Sequence, residues 1–375
     1  MSGRIEKLGM PKWGLSMTEG RLVGWLVDEG AEISPGDEVA EVETDKLSGG
    51  VEVAVGGVLR RRVAAVGDIV PVGGLLGVIA DPDVPDADVD AFVAEFQAAF
   101  VPGADEEAGP ASETVTVDAG TLHFLRQGEG EEPVVLLHGF GGDLENWMFA
   151  APALAAERTV YALDLPGHGR STKAVGAGDP DALASAVGQF LAAQQIERAH
   201  LVGHSLGGLV AATLALSDPA RVRTLTLVAS AGLGPEINRE YIEGFIAAKS
   251  RRELKPVLEL LFADPGQVTR RLVDDVLKYK RIDGVDEALR AIAGQVFGPE
   301  GQRVLIADRL PALDVPILAV WGAGDRIIPA AHAENLPEAA DVHVLDGAGH
   351  SPHMEAAGEV NRLLERFLAG ARAGG

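Results

Sequence analysis

Three side chains that can do acyl chemistry together stand at the ends of apolar runs: Ser205, Asp325 and His350. A serine hydroxyl is a poor nucleophile at neutral pH. It becomes a good one when an imidazole takes its proton and a carboxylate fixes that imidazole's tautomer and stabilises its cation. Ser205 lies in Leu201-Val202-Gly203-His204-Ser205-Leu206-Gly207-Gly208, where one apolar run turns into another. Gly-x-Ser-x-Gly is the spacing of a tight strand-to-helix turn, small on both sides of the serine so that strand and helix pack closely. Such a turn holds the hydroxyl at the end of a sheet. The N–H of Leu206, opening the helix, faces the same space and can stabilise a developing oxyanion. Asp314 and Asp346 compete with Asp325, but one precedes its strand and the other a glycine loop, so both are expected at the surface. His353 competes with His350. His204 is expected to pack inside the elbow, His138 to support a neighbouring loop through hydrogen bonds, and His168 to be structural. No grouping of these residues suggests a metal site.

A fourth chemical candidate lies far upstream. Residues 1–80 repeat internally with an offset of 37: Gly20 maps onto Gly57, Leu22 onto Leu59, Gly30 onto Gly67, Ile33 onto Val70, Gly36 onto Gly73, Val39 onto Leu76 and Val42 onto Ile79. Two similar β-units, neither able to close a core alone, predict a flattened sandwich. Between the halves, Glu43-Thr44-Asp45-Lys46-Leu47-Ser48 falls where a hairpin must turn, which presents Lys46 at a tip. Gly49-Gly50 follow where β-formers are expected, which predicts a loosened hairpin. Residues 81–112 are acidic and proline-bearing and read as a flexible linker. Within them Phe92, Phe96 and Phe100 mark one face of a short helix, expected to pack on its own domain. From about 113 strands alternate with helices, which predicts a mostly parallel sheet covered on both faces, with a helical insertion at about 232–308.

Two resemblances attach to these segments. Met10-Pro-Lys-Trp-Gly-Leu-Ser-Met-Thr-Glu-Gly20 with Glu43-Thr-Asp-Lys46 resembles the lipoyl domains of 2-oxo acid dehydrogenase complexes, over residues 3–80. That resemblance implies lipoate in amide linkage on Lys46. Biotin carriers set the lysine between two methionines, whereas Asp45 and Leu47 flank it here. His138-Gly-Phe-Gly-Gly142, Asp164-Leu-Pro-Gly-His-Gly-Arg-Ser171, the serine elbow, Gly322-Ala-Gly-Asp325 and Gly347-Ala-Gly-His350 resemble the α/β-hydrolase family in order. This second resemblance implies a Ser205–Asp325–His350 triad, the N–H of Phe140 as a second oxyanion donor beside Leu206, and a lid over the pocket. Some relatives carry the acid after the preceding strand, where this chain has Ser230. The expected architecture is multi-domain: a small all-β lipoyl sandwich (1–80), an acidic linker (81–112) and an α/β-hydrolase domain (113–375).

Lipoyl followed by α/β-hydrolase looks like the acetyltransferase components of acetoin dehydrogenase complexes. That likeness implies acetyl transfer from the lipoyl arm through Ser205 to coenzyme A. The implied partners are a thiamine-diphosphate-dependent acetoin-cleaving component, a dihydrolipoyl dehydrogenase and a lipoate ligase. A thioesterase ending on water, or a silent lipoyl scaffold, are the other readings of the same residues. The formal charge of −24 argues against nucleic acid and anionic membranes as partners, and −13 of it falls in residues 1–112. The chain has no cysteine, which excludes a catalytic thiol and thiolate metal sites and fits a reducing cytoplasm. Met1–Met10 holds no apolar core of signal-peptide length, and the longest apolar stretch, Leu201–Leu216, is broken by His204, Ser205 and two glycines and is shorter than a membrane span needs.

Overall fold

The computed structural model describes residues 3–13, 17–44, 48–53, 55–103 and 112–370. Lys46 lies outside them. The chain forms two compact units, Met1–Gly109 and Pro110–Gly375.

The first unit is two four-stranded antiparallel sheets. One has the order β1 (Ile5–Gly9), β8 (Leu75–Ala80), β6 (Gly57–Arg62), β3 (Glu32–Ile33). The other runs β5 (Ser48–Glu52), β4 (Glu38–Glu43), β2 (Glu19–Trp25), β7 (Ile69–Pro71). The offset of 37 carries β2 onto β6, β3 onto β7 and β4 onto β8, so the two sheets correspond strand for strand about a pseudo-twofold axis. Leu22 and Leu59, Val42 and Ile79, and Val39 and Leu76 are accordingly buried as pairs. The hairpin flanking Lys46 is not loosened by its glycines. Gly49 pairs with Val42, and Gly50 with Glu41. A Cβ on Gly50 would lie 2.4 Å from the Glu38 carboxyl carbon, so a bare backbone is what lets that side chain cross the strand.

The acidic span 81–112 is not simply an extended linker. Its first part is a helix, α1 (Asp86–Ala99), that covers β8. Val89 is buried with Leu75, Val78, Ala80 and Val84, and Phe92, Val93 and Phe96 close over them. The acids that suggested an extended run have partners: Asp86 pairs with Arg60 at 2.7 Å and Asp90 with Arg61 at 2.9 Å. Phe100, just past the helix, stacks on Phe96 with centroids 5.5 Å apart.

The second unit is an eight-stranded sheet in the order β18 (Asp341–Leu345), β17 (Ile317–Gly322), β14 (Val222–Val228), β13 (Ala199–His204), β11 (Val134–Leu137), β12 (Val160–Leu163), β10 (Gly120–Gln127), β9 (Ser112–Val117). β9 and β10 run antiparallel at one edge and the other six are parallel. The central strands are buried end to end, as strands covered on both faces must be. Helices α2 (Ala150–Ala155), α3 (Pro180–Ala193) and α4 (Leu206–Ser217) follow in the first half, and α9 (Pro352–Glu355) and α10 (Ala357–Gly370) close the chain. Between β14 and β17 stands a cap of α5 (Arg239–Ala247), α6 (Arg251–Leu258), α7 (Arg270–Lys280), α8 (Val285–Val296) and a small hairpin of β15 (Phe297–Gly298) and β16 (Gly301–Gln302). Asn238 and Thr269 cap α5 and α7 with their side chains, and at the start of α6 the Glu253 carboxylate accepts the N–H of Ser250 at 3.2 Å. Among the described residues no helix is long and apolar enough to cross a membrane.

Candidate active site

β13 delivers Ser205 and α4 begins at the next residue, Leu206, as the elbow spacing predicts. Ser205 has φ 52° and ψ −116°, a conformation costing roughly 1–3 kcal/mol in a non-glycine residue. The surroundings hold it there. Its N–H donates to Val228 O at 2.9 Å, and its carbonyl accepts the N–H of Ala231 at 3.0 Å. A Cβ on Gly203 would lie 2.3 Å from Gly207 O, and one on Gly207 would lie 2.2 Å from Leu137 O. These contacts are backbone on backbone and cannot yield by a side-chain rotation. Gly207→Ala is therefore expected to destabilise the second unit by at least about 3 kcal/mol. Urea unfolding of the variant beside the parent measures it.

Asp325 follows β17 and His350 follows β18. His350 Nδ1–H donates to Asp325 Oδ2 at 2.8 Å, with both side chains almost fully buried. Asp325 Oδ1 accepts the N–H groups of Ile327 (2.8 Å) and Ile328 (3.0 Å), so each carboxylate oxygen has a donor. Asp314 and Asp346 are exposed. Ser230 is buried and donates to Ala231 O, and a Cβ on Gly208 would lie 2.4 Å from its Oγ. His204 links the elbow to the histidine loop: its Nε2–H donates to His350 O at 2.8 Å, and the two rings lie 4.8 Å apart.

The Gly139–Phe140 peptide faces the elbow; a Cβ on Gly139 would lie 3.1 Å from Ser205 Cβ. His138 orients it. Leu165 N–H donates to His138 Nε2 at 3.0 Å, so the proton is on Nδ1, which donates to Gly139 O at 2.8 Å. Gly142 N–H donates to the same carbonyl at 3.1 Å. With the carbonyl held from behind, the N–H of Phe140 points the opposite way. Among the described residues neither that N–H nor the one of Leu206 has an acceptor. The cap fastens the next peptide: Tyr241 O–H donates to Phe140 O at 3.2 Å, and the Phe140 ring meets Phe245 and Phe297 edge-on at 6.0 and 5.9 Å. Phe245 and Phe297 thus serve both as cap core and as cover for this loop. Leu258 and Phe262 are buried, and Val276 is half-buried.

Sequence motifs alone gave no role to several residues that brace this centre. Asp164, buried at the end of β12, accepts Leu144 N–H on Oδ1 and both Arg170 N–H and His123 Nδ1–H on Oδ2, all within 2.8 Å. Burial pushes its carboxyl up, but these bonds outweigh it and hold the group below its ordinary range. A charged residue closing an apolar strand was the signal available for it.

Burial favours the neutral form of four histidines packed around the centre, His138, His168, His204 and His353. Burial depresses His138 and, more strongly, His204. Burial also lowers His168 and His353 to about 3 each, the latter aided by His350. An unfolded chain titrates these two near 6.5. Between 6.5 and 3 the unfolded state therefore binds more protons, and stability is complete above 6.5 and lost as pH falls. At pH 5 the expected loss is roughly 2 kcal/mol for each ring. Urea unfolding at pH 7 and pH 5 checks it through the fluorescence of Trp147, whose ring lies 4.6 Å from His353.

Comparison with known proteins matches residues 132–357 to the α/β-hydrolase fold family and residues 6–79 to a family described as biotin-requiring enzyme. The dihydrolipoyllysine-residue acetyltransferase component of the acetoin cleaving system from Pseudomonas putida is 51% identical, covering 97% of this chain and 99% of that protein. The protein of the same name from Cupriavidus necator is 48% identical, covering 99% of each. Among solved structures, a membrane phospholipase A superposes with a TM-score of 0.62 at 28% identity, covering 76% of this chain and 96% of that one. A lipoyl-type sandwich and an α/β-hydrolase unit in one chain, alike end to end with these acetyltransferases, place the protein in the family of dihydrolipoyllysine-residue acetyltransferase components of acetoin-cleaving systems.

Proposed function

We propose that Ser205, His350 and Asp325 form the centre through which this acetyltransferase moves an acetyl group from a lipoyl thioester to coenzyme A. The observation that carries the reading is the buried His350–Asp325 pair, tied through His204 to a serine held in a strained elbow.

Lys46 fits lipoate by position. β4 and β5 pair Glu43 with Ser48, and the four residues between them include Lys46. Lipoate on that amine supplies a thiol able to carry acetyl as a thioester. The remaining work falls to side chains of the second unit. Ser205 Oγ adds to the thioester carbonyl while His350 Nε2 takes its proton. The N–H groups of Phe140 and Leu206 receive the charge that develops on the carbonyl oxygen. Collapse breaks the C–S bond, and His350 returns the proton to the departing sulfur, leaving acetyl-Ser205. The thiol of coenzyme A then gives its proton to His350 and attacks the ester. Ser205 leaves with that proton, and acetyl-coenzyme A is formed. Asp325 keeps the Nδ1 proton on His350 and steadies the imidazolium in both halves.

The chain works with other components of its system. We assign these as a thiamine-diphosphate-dependent acetoin-cleaving enzyme, a dihydrolipoyl dehydrogenase and a lipoate ligase, all cytoplasmic. The test follows S-acetyl-dihydrolipoamide with purified protein, with and without coenzyme A. Acetyl-coenzyme A as the main product is expected. Free acetate, formed at a rate indifferent to coenzyme A, would make the protein a thioesterase carrying a lipoyl arm. Failure of folded protein to take a fluorophosphonate label at Ser205 would favour the scaffold.

A further inference from the structure

One carboxylate that the transfer chemistry does not use grips the His350 loop on both sides. Glu355, the last residue of α9, turns back so that Oε1 accepts the N–H of Gly349 (2.9 Å) and of Ser351 (3.2 Å), the two neighbours of His350. Its other oxygen, Oε2, accepts the N–H of Ala263 in the cap at 2.6 Å. The same cap segment is fastened again from Arg326, the residue after Asp325, whose Nη2 donates to Phe262 O at 2.8 Å and to Glu259 O. The packing leaves no slack between these pieces. A Cβ on Gly349 would lie 2.6 Å from Ala263 N and 2.9 Å from Phe262 C, and one on Gly324 would lie 3.6 Å from Ala263 Cβ. Residues 259–263 are thus bonded beside the acid and, through one carboxylate, to both sides of the base. Glu355 is half-buried, and its three bonds are all to backbone N–H groups, which are fixed in direction by the chain.

We propose that Glu355 is a positioning residue that makes the cap part of the triad: it sets where His350 stands against Asp325, and it transmits any displacement of residues 259–263 to the base. The proposal rests on the triad reading above.

Two variants of the full-length protein separate the halves of the grip. In Glu355→Gln the amide oxygen can still serve Gly349 and Ser351, but its NH₂ faces the N–H of Ala263, donor against donor, so only the cap link is cut. Glu355→Ala cuts both. Misplacing a catalytic group by about 1 Å costs about 10²-fold. The expected kcat for acetyl transfer is therefore about tenfold lower in the first variant and about a hundredfold lower in the second, with KM for S-acetyl-dihydrolipoamide little changed. The low-field proton resonance of His350 Nδ1–H should shift or broaden in both variants. A folded Glu355→Ala protein with parental kcat would overturn the proposal, as would a loss of kcat with that resonance unmoved. If Glu355→Ala does not fold, Glu355→Gln carries the same test. Ser205→Ala is assayed alongside: if it keeps its activity the triad reading fails, and if it loses activity while both Glu355 variants behave as parent only the present proposal fails.

Discussion

Ser205→Ala is expected to lower kcat for acetyl transfer to coenzyme A by about 10⁶-fold, with the fold intact. The substitution removes one oxygen from a buried residue and leaves the glycines that permit the turn, Gly203 and Gly207, in place. It leaves the backbone bonds of residue 205 to Val228 and Ala231 untouched, so melting should move little. What disappears is the atom that accepts the acyl group. The residual rate would come from the two N–H groups polarising the thioester while coenzyme A attacks directly. Initial rates of acetyl-coenzyme A formation, read beside a thermal melt, decide it. Activity above about a hundredth of the parent would mean that transfer proceeds without an acyl-serine.

Lys46→Arg should abolish turnover of acetoin by the assembled system while sparing transfer from free S-acetyl-dihydrolipoamide. Arginine keeps the positive charge but offers no amine for an amide bond to lipoate. The second unit is untouched, so Ser205 remains competent for a donor arriving from solution. The loss comes from tethering: a linked donor reaches roughly millimolar effective concentration, and linkage of this kind is typically worth about 10²–10⁴. The paired assay, assembled system against small donor, is the measurement. Equal turnover by the variant and the parent in the assembled system would sink the swinging-arm account. A fall in both assays would mean that the substitution acts by some route other than lipoate.

The parts of this protein that are legible from its sequence are those encoded at short range. The elbow is one, because Gly203 and Gly207 answer to clashes within one turn of the chain and against the adjacent strand. The 37-residue repeat is another, because each half carries its own copy of the strand pattern. The order Ser205, Asp325, His350 could be read because each residue ends a strand. What could not be read depends on partners far away in sequence. Glu355 reaches Ala263 across 92 residues and Tyr241 reaches Phe140 across 101. His204 reaches His350 across 146. Helix α1 was legible from Phe92 and Phe96, but the pairing of its acids was not: they look like a solvated run until Arg60 and Arg61 arrive from β6 to meet them.

That helix alters the geometry of delivery. β8 ends at Ala80, opposite the start of β1, whereas the strands that flank Lys46 end at the other pole of the sandwich. Val42 lies beside Gly20 there, Gly20 beside Met10, and Met10 N–H bonds to Gly74 O, just ahead of β8. Without α1 the chain would leave from the far pole. Fourteen helical residues run about 21 Å, close to the length of β8 and its turns. They bring Phe100 back to within reach of Gly74. The end of α1 and the paired ends of β4 and β5 therefore lie at the same pole. The helix thus returns the chain to the pole at which β4 ends, so the first unit itself adds little to the separation between Phe100 and the strands that bracket Lys46.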